Sequence, residues 1–271
     1  MSARNSHSNK AAARDRLRIE RERQAKKDKT RRQLVVAGTI VAVLAIAGGV
    51  GFGIMQANKP GVWEAAKDKK QVTQPANTTG TNGTSVVIGK KDAKKTLEVY
   101  EDARCPICAT FEQSVGKTIE KDVAAGKYKI RYVGATFIDN SDSGEGSKNA
   151  LSALGAALDV SPEAFLEYKA ALYSKDNHPA EQDDKFAKDD NLLKIAESVG
   201  ALKNNTKFQK NVQDGTFDAW AMKMSAAFSN SGVEGTPTLK MDGKKLTAEG
   251  SDNAPMAPEA FTAAVDKAIK G

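Results

Sequence analysis

At 271 residues and 40% hydrophobic, the chain has material for one ordinary core with appendages rather than for several domains. Its formal net charge of +7 sits at one end: residues 1–33 hold twelve of the 41 basic and four of the 34 acidic residues, leaving the rest at net −1 and excluding a broadly basic, nucleic-acid-binding body. Two cysteines in one four-residue window are too few for a disulfide-stapled scaffold, and with only His7 and His178 beside them they argue against zinc, which takes about four ligands.

The basic segment 1–33 mixes Arg, Lys, Glu and Ala without an apolar face, and reads as a solvated cytoplasmic tail lying against anionic lipid headgroups. Residues 34–55 are uncharged and apolar, about the roughly 20 residues that a membrane-spanning helix needs. Dense Lys/Arg before this run, ending Arg31-Arg32, places the N-terminus in the cytoplasm and everything after the run outside the cell membrane. A cleaved signal peptide fits less well, because the charged segment is long and Met55-Gln56-Ala57 is a poor cleavage site. Residues 56–84, with Pro60, Pro75, Gly80 and Gly83 among Thr, Asn, Gln and Lys, have linker composition.

Short strands are expected at 85–88 and 96–100. From 106 to 125 the pattern turns helical, with Ile107, Phe111, Val115, Ile119 and Val123 three or four apart and Gly126 as a stop. Alternation of Tyr128, Ile130 and Tyr132 with Lys129 and Arg131 predicts a strand with one covered face. A helical insertion is expected over about 144–230, with helices at 148–158, 162–173, 191–199 and 217–228; Ser161 before Pro162 is a good helix start. A hairpin at 238–241 and 244–247, turning at Asp242-Gly243, and a helix at 258–269 close the chain. Trp63 and Trp220 read as packing residues.

Cys105-Pro106-Ile107-Cys108 stands at the predicted start of a helix, where backbone N–H groups and the positive end of the dipole favour a thiolate. Cys105 is the expected nucleophile and Cys108 the resolving thiol of a disulfide exchange. Pro106 fixes the turn, and Arg104 is a positive neighbour expected to lower the Cys105 pKa further. Far downstream, Gly235-Thr236-Pro237-Thr238 precedes a strand at a position where proline marks a bend.

Taken together, Tyr100-Glu101-Asp102-Ala103-Arg104-Cys105-Pro106-Ile107-Cys108, the following Phe111-Glu112, and Gly232-Val233-Glu234-Gly235-Thr236-Pro237-Thr238 resemble the DsbA-like branch of the thioredoxin superfamily. The resemblance covers about residues 85–271. It implies an α/β thioredoxin-like fold with a helical insertion, preceded here by a single transmembrane helix. It also implies a cis Pro237 beside the cysteines, with the Thr236 backbone pairing with an extended substrate strand. Glu112 falls where relatives carry a buried acid thought to assist proton transfer; a structural salt bridge is an equal reading. Ile107 departs from relatives that are strong oxidants, which often carry His there.

The expected function is thiol-disulfide exchange with secreted or cell-envelope proteins, with disulfide formation favoured by the compartment. Reduction or isomerisation, and a non-redox tethered binding or chaperone module, stay open as alternatives. No cofactor or metal is expected. An oxidase must itself be reoxidised, and the resemblance implies a quinone-linked membrane partner.

Overall fold

The computed structural model describes residues 61–270. The basic segment 1–33, the apolar run 34–55 and the first residues of the expected linker therefore lie outside the described residues. Among the described residues no helix is long and apolar enough to cross a membrane.

Nine α-helices, two short 3-10 helices and five strands make up this region. The α-helices are α1 (Val62–Lys67), α2 (Pro106–Ala125), α3 (Phe137–Asp142), α4 (Gly146–Val160), α5 (Pro162–Leu172), α6 (Asp189–Ala196), α7 (Thr206–Gln213), α8 (Asp218–Ser229) and α9 (Pro258–Lys270). The strands are β1 (Val86–Ile88), β2 (Thr96–Asp102), β3 (Lys129–Ala135), β4 (Thr238–Met241) and β5 (Lys244–Lys245), forming one mixed sheet in the order β1-β3-β2-β4-β5. Only β2 and β3 run parallel, with Tyr100 opposite Val133, while β4 returns antiparallel on β2 with Thr238 opposite Tyr100. A parallel pair needs a crossover, and α2 supplies it. This is the thioredoxin-like α/β arrangement with a helical insertion, which runs from α3 to α8 between β3 and β4.

Alternation decides which face is buried. Leu97 and Val99 of β2, Ile130 and Tyr132 of β3, and Leu239 and Met241 of β4 share one core with Phe111, Val115, Ile119 and Val123 of α2 and Phe261 and Val265 of α9. Phe111 and Phe261 meet edge-on with centroids 6.3 Å apart. Each such side chain contributes roughly 1.5–3 kcal/mol by leaving water. Gly126 ends α2 in the left-handed conformation at φ 81°, open to glycine at little cost. Asp242 and Gly243, with φ of 49° and 82°, make the expected primed hairpin turn.

Several boundaries differ from the sequence expectation for local reasons. β2 continues two residues past Tyr100 because Glu101 and Asp102 find buried partners. A helix at α7 was not expected; Asn205 caps it by accepting from the Phe208 N–H at 3.0 Å. β5 is two residues rather than four. The larger correction concerns 61–84, expected as linker. This segment is folded onto the domain: α1 packs on α8, Ala66 and Pro75 are buried, and Trp63 lies under the Lys148 ammonium at 5.9 Å. Asn77 Nδ2 donates to the Leu158 carbonyl at 2.8 Å, and the indole N–H of the fully buried Trp220 donates to the Gly83 carbonyl at 2.8 Å. Polar composition concealed a strap whose hydrogen bonds are made to distant residues.

A chain truncated to begin at Ser85 is therefore expected to be less stable than one beginning at Gly61. Loss of the Gly83 acceptor alone strands the Trp220 donor, at a cost of about 1–3 kcal/mol. Urea midpoints of the two chains measure this; equal midpoints would show that the strap contributes nothing.

Candidate active site

β2 ends in the middle of the sheet, and the chain turns at once into α2. The turn is closed by the Cys105 N–H donating to the Asp102 carbonyl at 3.0 Å. Cys105 is the N-cap of α2, in extended conformation, with Pro106 at the first helical position where a missing N–H costs nothing. Its sulfur accepts from the Cys108 N–H at 3.3 Å. Both cysteines are free thiols; Cys105 is 6% exposed and Cys108 fully buried. Ile107 between them is 58% exposed, so its side chain stands out beside the pair rather than packing on it.

The downstream motif arrives next to this helix start. The Thr236–Pro237 peptide is cis, as expected, and the Cys105 thiol approaches the Thr236 carbonyl at 3.6 Å. The Thr236 hydroxyl is buried and has no hydrogen-bond partner among the described residues. Residues 232–238, with Lys240, Leu246 and Asn253, line a groove of 390 Å³ beside it.

These neighbours separate the two thiols. The hydrogen bond from the Cys108 thiol does most to push the Cys105 pKa down to about 6, against burial; the N–H groups of Cys108 and Ile107 add to it. Burial first, and then the adjacent Cys105, push Cys108 well above the ordinary thiol value. The arrangement can hold one thiolate at neutral pH, at the outer sulfur.

Arg104 does not serve as expected. Its fully buried guanidinium turns from the cysteines into the helical insertion, where it meets Asp139 at 3.0 Å, Asp142 at 2.5 Å and Asp184 at 3.3 Å, and donates to the Glu181 carbonyl at 2.6 Å. Three carboxylates claim its charge. What it does for the site is mechanical, fastening the turn to α3 and to the segment before α6.

Glu112, half-buried, joins an ion cluster: Lys169 of α5, 1% exposed, reaches it at 2.5 Å and reaches Glu101 at 3.3 Å. The rings of Tyr132 and Tyr173 lie 4.9 and 5.1 Å from the same ammonium. Burial pushes Glu101 up to about 7, with Lys169 opposing and Glu112 adding to the rise. The salt-bridge reading of Glu112 describes this geometry.

Sequence reasoning missed Glu101, Asp102, Lys169, Tyr173 and His178. Asp102 is buried, with its carboxylate accepting from the Arg104 N–H at 3.0 Å, the Ser147 hydroxyl at 2.6 Å and the Ile138 N–H at 3.3 Å. Burial raises its pKa to about 6 despite these donors. One signal was available for Lys169: it shares a helical face with Phe165, Tyr168 and Leu172, all buried. Among the described residues no group of His, Cys, Asp or Glu is arranged to hold a metal ion.

Two outcomes follow from this electrostatic pattern. Alkylation of the reduced protein, followed by mass spectrometry against pH, should modify Cys105 with a midpoint near pH 6 while leaving Cys108 intact; a midpoint near the ordinary thiol value of about 8.5 would contradict the assignment. Lys169→Met should destabilise the domain by about 3–5 kcal/mol by leaving two carboxyls facing each other without a cation. The loss should be larger at pH 8 than at pH 5, because a carboxyl whose folded pKa is raised costs stability once the pH forces it to ionise. Chemical denaturation at the two pH values measures it.

The sequence matches the family model described as thioredoxin over residues 81–267. It is similar to disulfide bond formation protein D of Bacillus subtilis (strain 168), 26% identical over 161 residues that span 59% of this chain and 68% of that protein. Oxidised DsbA of Mycobacterium tuberculosis superposes with a TM-score of 0.57 at 26% identity, covering 69% of this chain and 93% of that one. The reduced disulfide bond oxidoreductase DsbG of Mycobacterium tuberculosis gives 0.58 at 26% identity, covering 70% and 89%. With the family model spanning more than half of the sequence, and relatives of this kind in both comparisons, the chain belongs to the thioredoxin family and is one of its DsbA-like thiol-disulfide oxidoreductases.

Proposed function

We propose that this enzyme forms disulfides in secreted or cell-envelope proteins, with Cys105 as the exchanging sulfur and Cys108 as the resolving one. The observation that carries the reading is the Cys105 sulfur at the start of α2, accepting from the Cys108 N–H at 3.3 Å beside the cis Thr236–Pro237 peptide, with Cys108 fully buried behind it; the arrangement favours a thiolate at Cys105 and keeps Cys108 protonated. In the oxidised enzyme a substrate thiolate attacks the Cys105 sulfur; the Cys105–Cys108 bond breaks, and Cys108 leaves with the electron pair and takes a proton. A second substrate thiolate then attacks the substrate sulfur of the mixed disulfide. Cys105 departs as thiolate, the substrate gains a disulfide, and two electrons remain on the enzyme.

A stabilised Cys105 thiolate is a good leaving group and favours the reduced enzyme, which makes the enzyme an oxidant. Pro106 and the N–H of Ile107 serve that thiolate, while the Ile107 side chain is free to touch substrate. The groove beside Thr236 and Pro237 suits an extended substrate strand, bound through backbone and therefore with little sequence preference. Disulfide bond formation protein D, one of the relatives, is named for this direction of the reaction.

The two electrons must pass to an acceptor, for which a quinone-linked membrane protein is the class proposed. The apolar run 34–55 after a basic segment supports a single-pass anchor with the N-terminus in the cytoplasm, lipid around the run and the catalytic domain outside. Reduction or isomerisation is the competing direction, favoured by Ile107, which brings neither charge nor a side-chain donor to the pair.

The reduction potential distinguishes them. Equilibrated against glutathione and read by thiol trapping, the pair should lie well above the thioredoxin value of about −270 mV. A potential at or below that value would make the enzyme a reductase, and exchange should vanish in Cys105→Ser.

A further inference from the structure

The peptide carbonyls that lead into Cys105 are held from outside the thioredoxin core. The Asp102 carbonyl has two lone pairs and both are used: the Cys105 N–H donates to one at 3.0 Å and the Tyr173 hydroxyl to the other at 3.1 Å. The next carbonyl, Ala103, lies 3.1 Å from Nε2 of His178. A carbonyl only accepts, so Nε2 carries the proton there.

Neither side chain can drift. Tyr173 follows α5 directly and is buried in one cluster with Cys105, Cys108, Ala109 and Ile138. Gln113 of α2 donates to its carbonyl at 2.6 Å. The His178 ring stacks on that of Tyr173 with centroids 5.8 Å apart and an interplanar angle of 20°, and Phe186 meets it edge-on at 6.2 Å. Both residues belong to the helical insertion.

We infer that Tyr173 and His178 are positioning residues through which the helical insertion holds the turn 102–105 closed, fixing the Cys105 sulfur over the N–H groups of α2 and setting the redox poise of the pair. A thiolate at a helix start gains from those N–H groups only within hydrogen-bond reach. The two clamps act on the two peptides that determine where the Cys105 backbone begins. Poise is then governed in part from the insertion. The inference rests on Cys105 being the exchanging sulfur.

The test uses the full chain in lipid nanodiscs, equilibrated with reduced and oxidised glutathione and read by thiol trapping, with the pH midpoint of Cys105 alkylation measured alongside. Tyr173→Phe, which keeps the ring and removes only the donor, and His178→Leu should each shift the glutathione equilibrium toward the disulfide form by about tenfold, the effect of one unit in thiol pKa. Each should also move the alkylation midpoint upward. His178→Gln, which restores an N–H donor, should return both readings most of the way, a recovery that a purely space-filling role would not produce. If the parent exchanges and both variants match it within about twofold on this scale, the inference fails. If the parent itself shows no exchange, the redox reading beneath it fails instead. Should His178→Leu not fold, Tyr173→Phe decides alone.

Discussion

The site depends on one turn, in which Asp102 ends β2 and Cys105 begins α2. Every oxygen of Asp102 is engaged: its carboxylate takes donors from Arg104, Ser147 and Ile138, and its carbonyl takes Cys105 and Tyr173. A buried carboxylate is tolerated only when its hydrogen bonds are made, and here each donor also fixes a different element: the cysteine turn itself, the entry to α3, and the first turn of α4. The constraint that makes the burial affordable is the same one that aims the Cys105 sulfur.

Two buried cations stand near this turn and play different parts. Arg104 joins the residue before Cys105 to three aspartates of the insertion, and Lys169 joins α5 to β2 and α2 through Glu101 and Glu112. Buried ion clusters repay little of their desolvation cost, so their value here is geometric: unlike an apolar contact, each is satisfied in one arrangement only. In the Lys169 cluster, Glu101 Oε2 has the ion pair to Lys169 but no well-formed hydrogen bond, and burial pushes the Glu101 pKa up to about 7.

The insertion is therefore a working part of the active site as well as a cover for the sheet. Its helices bury Leu151, Leu154, Phe165 and Tyr168 in the same core as the strands, so it cannot move as a separate body without opening that core. The strap from Gly61 to Thr84 ties onto it from the other side through Trp220 and Leu158. Held in this way, the insertion can impose a fixed geometry on the two carbonyls that precede Cys105.

Much of this was legible in the sequence because it is written in short-range chemistry. Apolar period located α2, β3 and most of the insertion, and the spacing of Cys105 and Cys108 at a helix start pointed to the candidate redox pair. Resemblance in the two motifs supplied the pairing of that start with Thr236 and Pro237. What the sequence could not supply was direction in space. Arg104 reads as a positive neighbour of a cysteine, and only the fold turns it to Asp139, 35 residues away. Lys169, Tyr173 and His178 look like ordinary residues of a helix and a loop, since their partners lie some 57 to 75 positions earlier in the chain. The strap reads as linker because its polar groups bond to residues no local pattern can name. Local periodicity and spacing determined most of the elements and the candidate sulfurs; long-range hydrogen bonding, which exists only once the chain is folded, decided what holds those sulfurs in place.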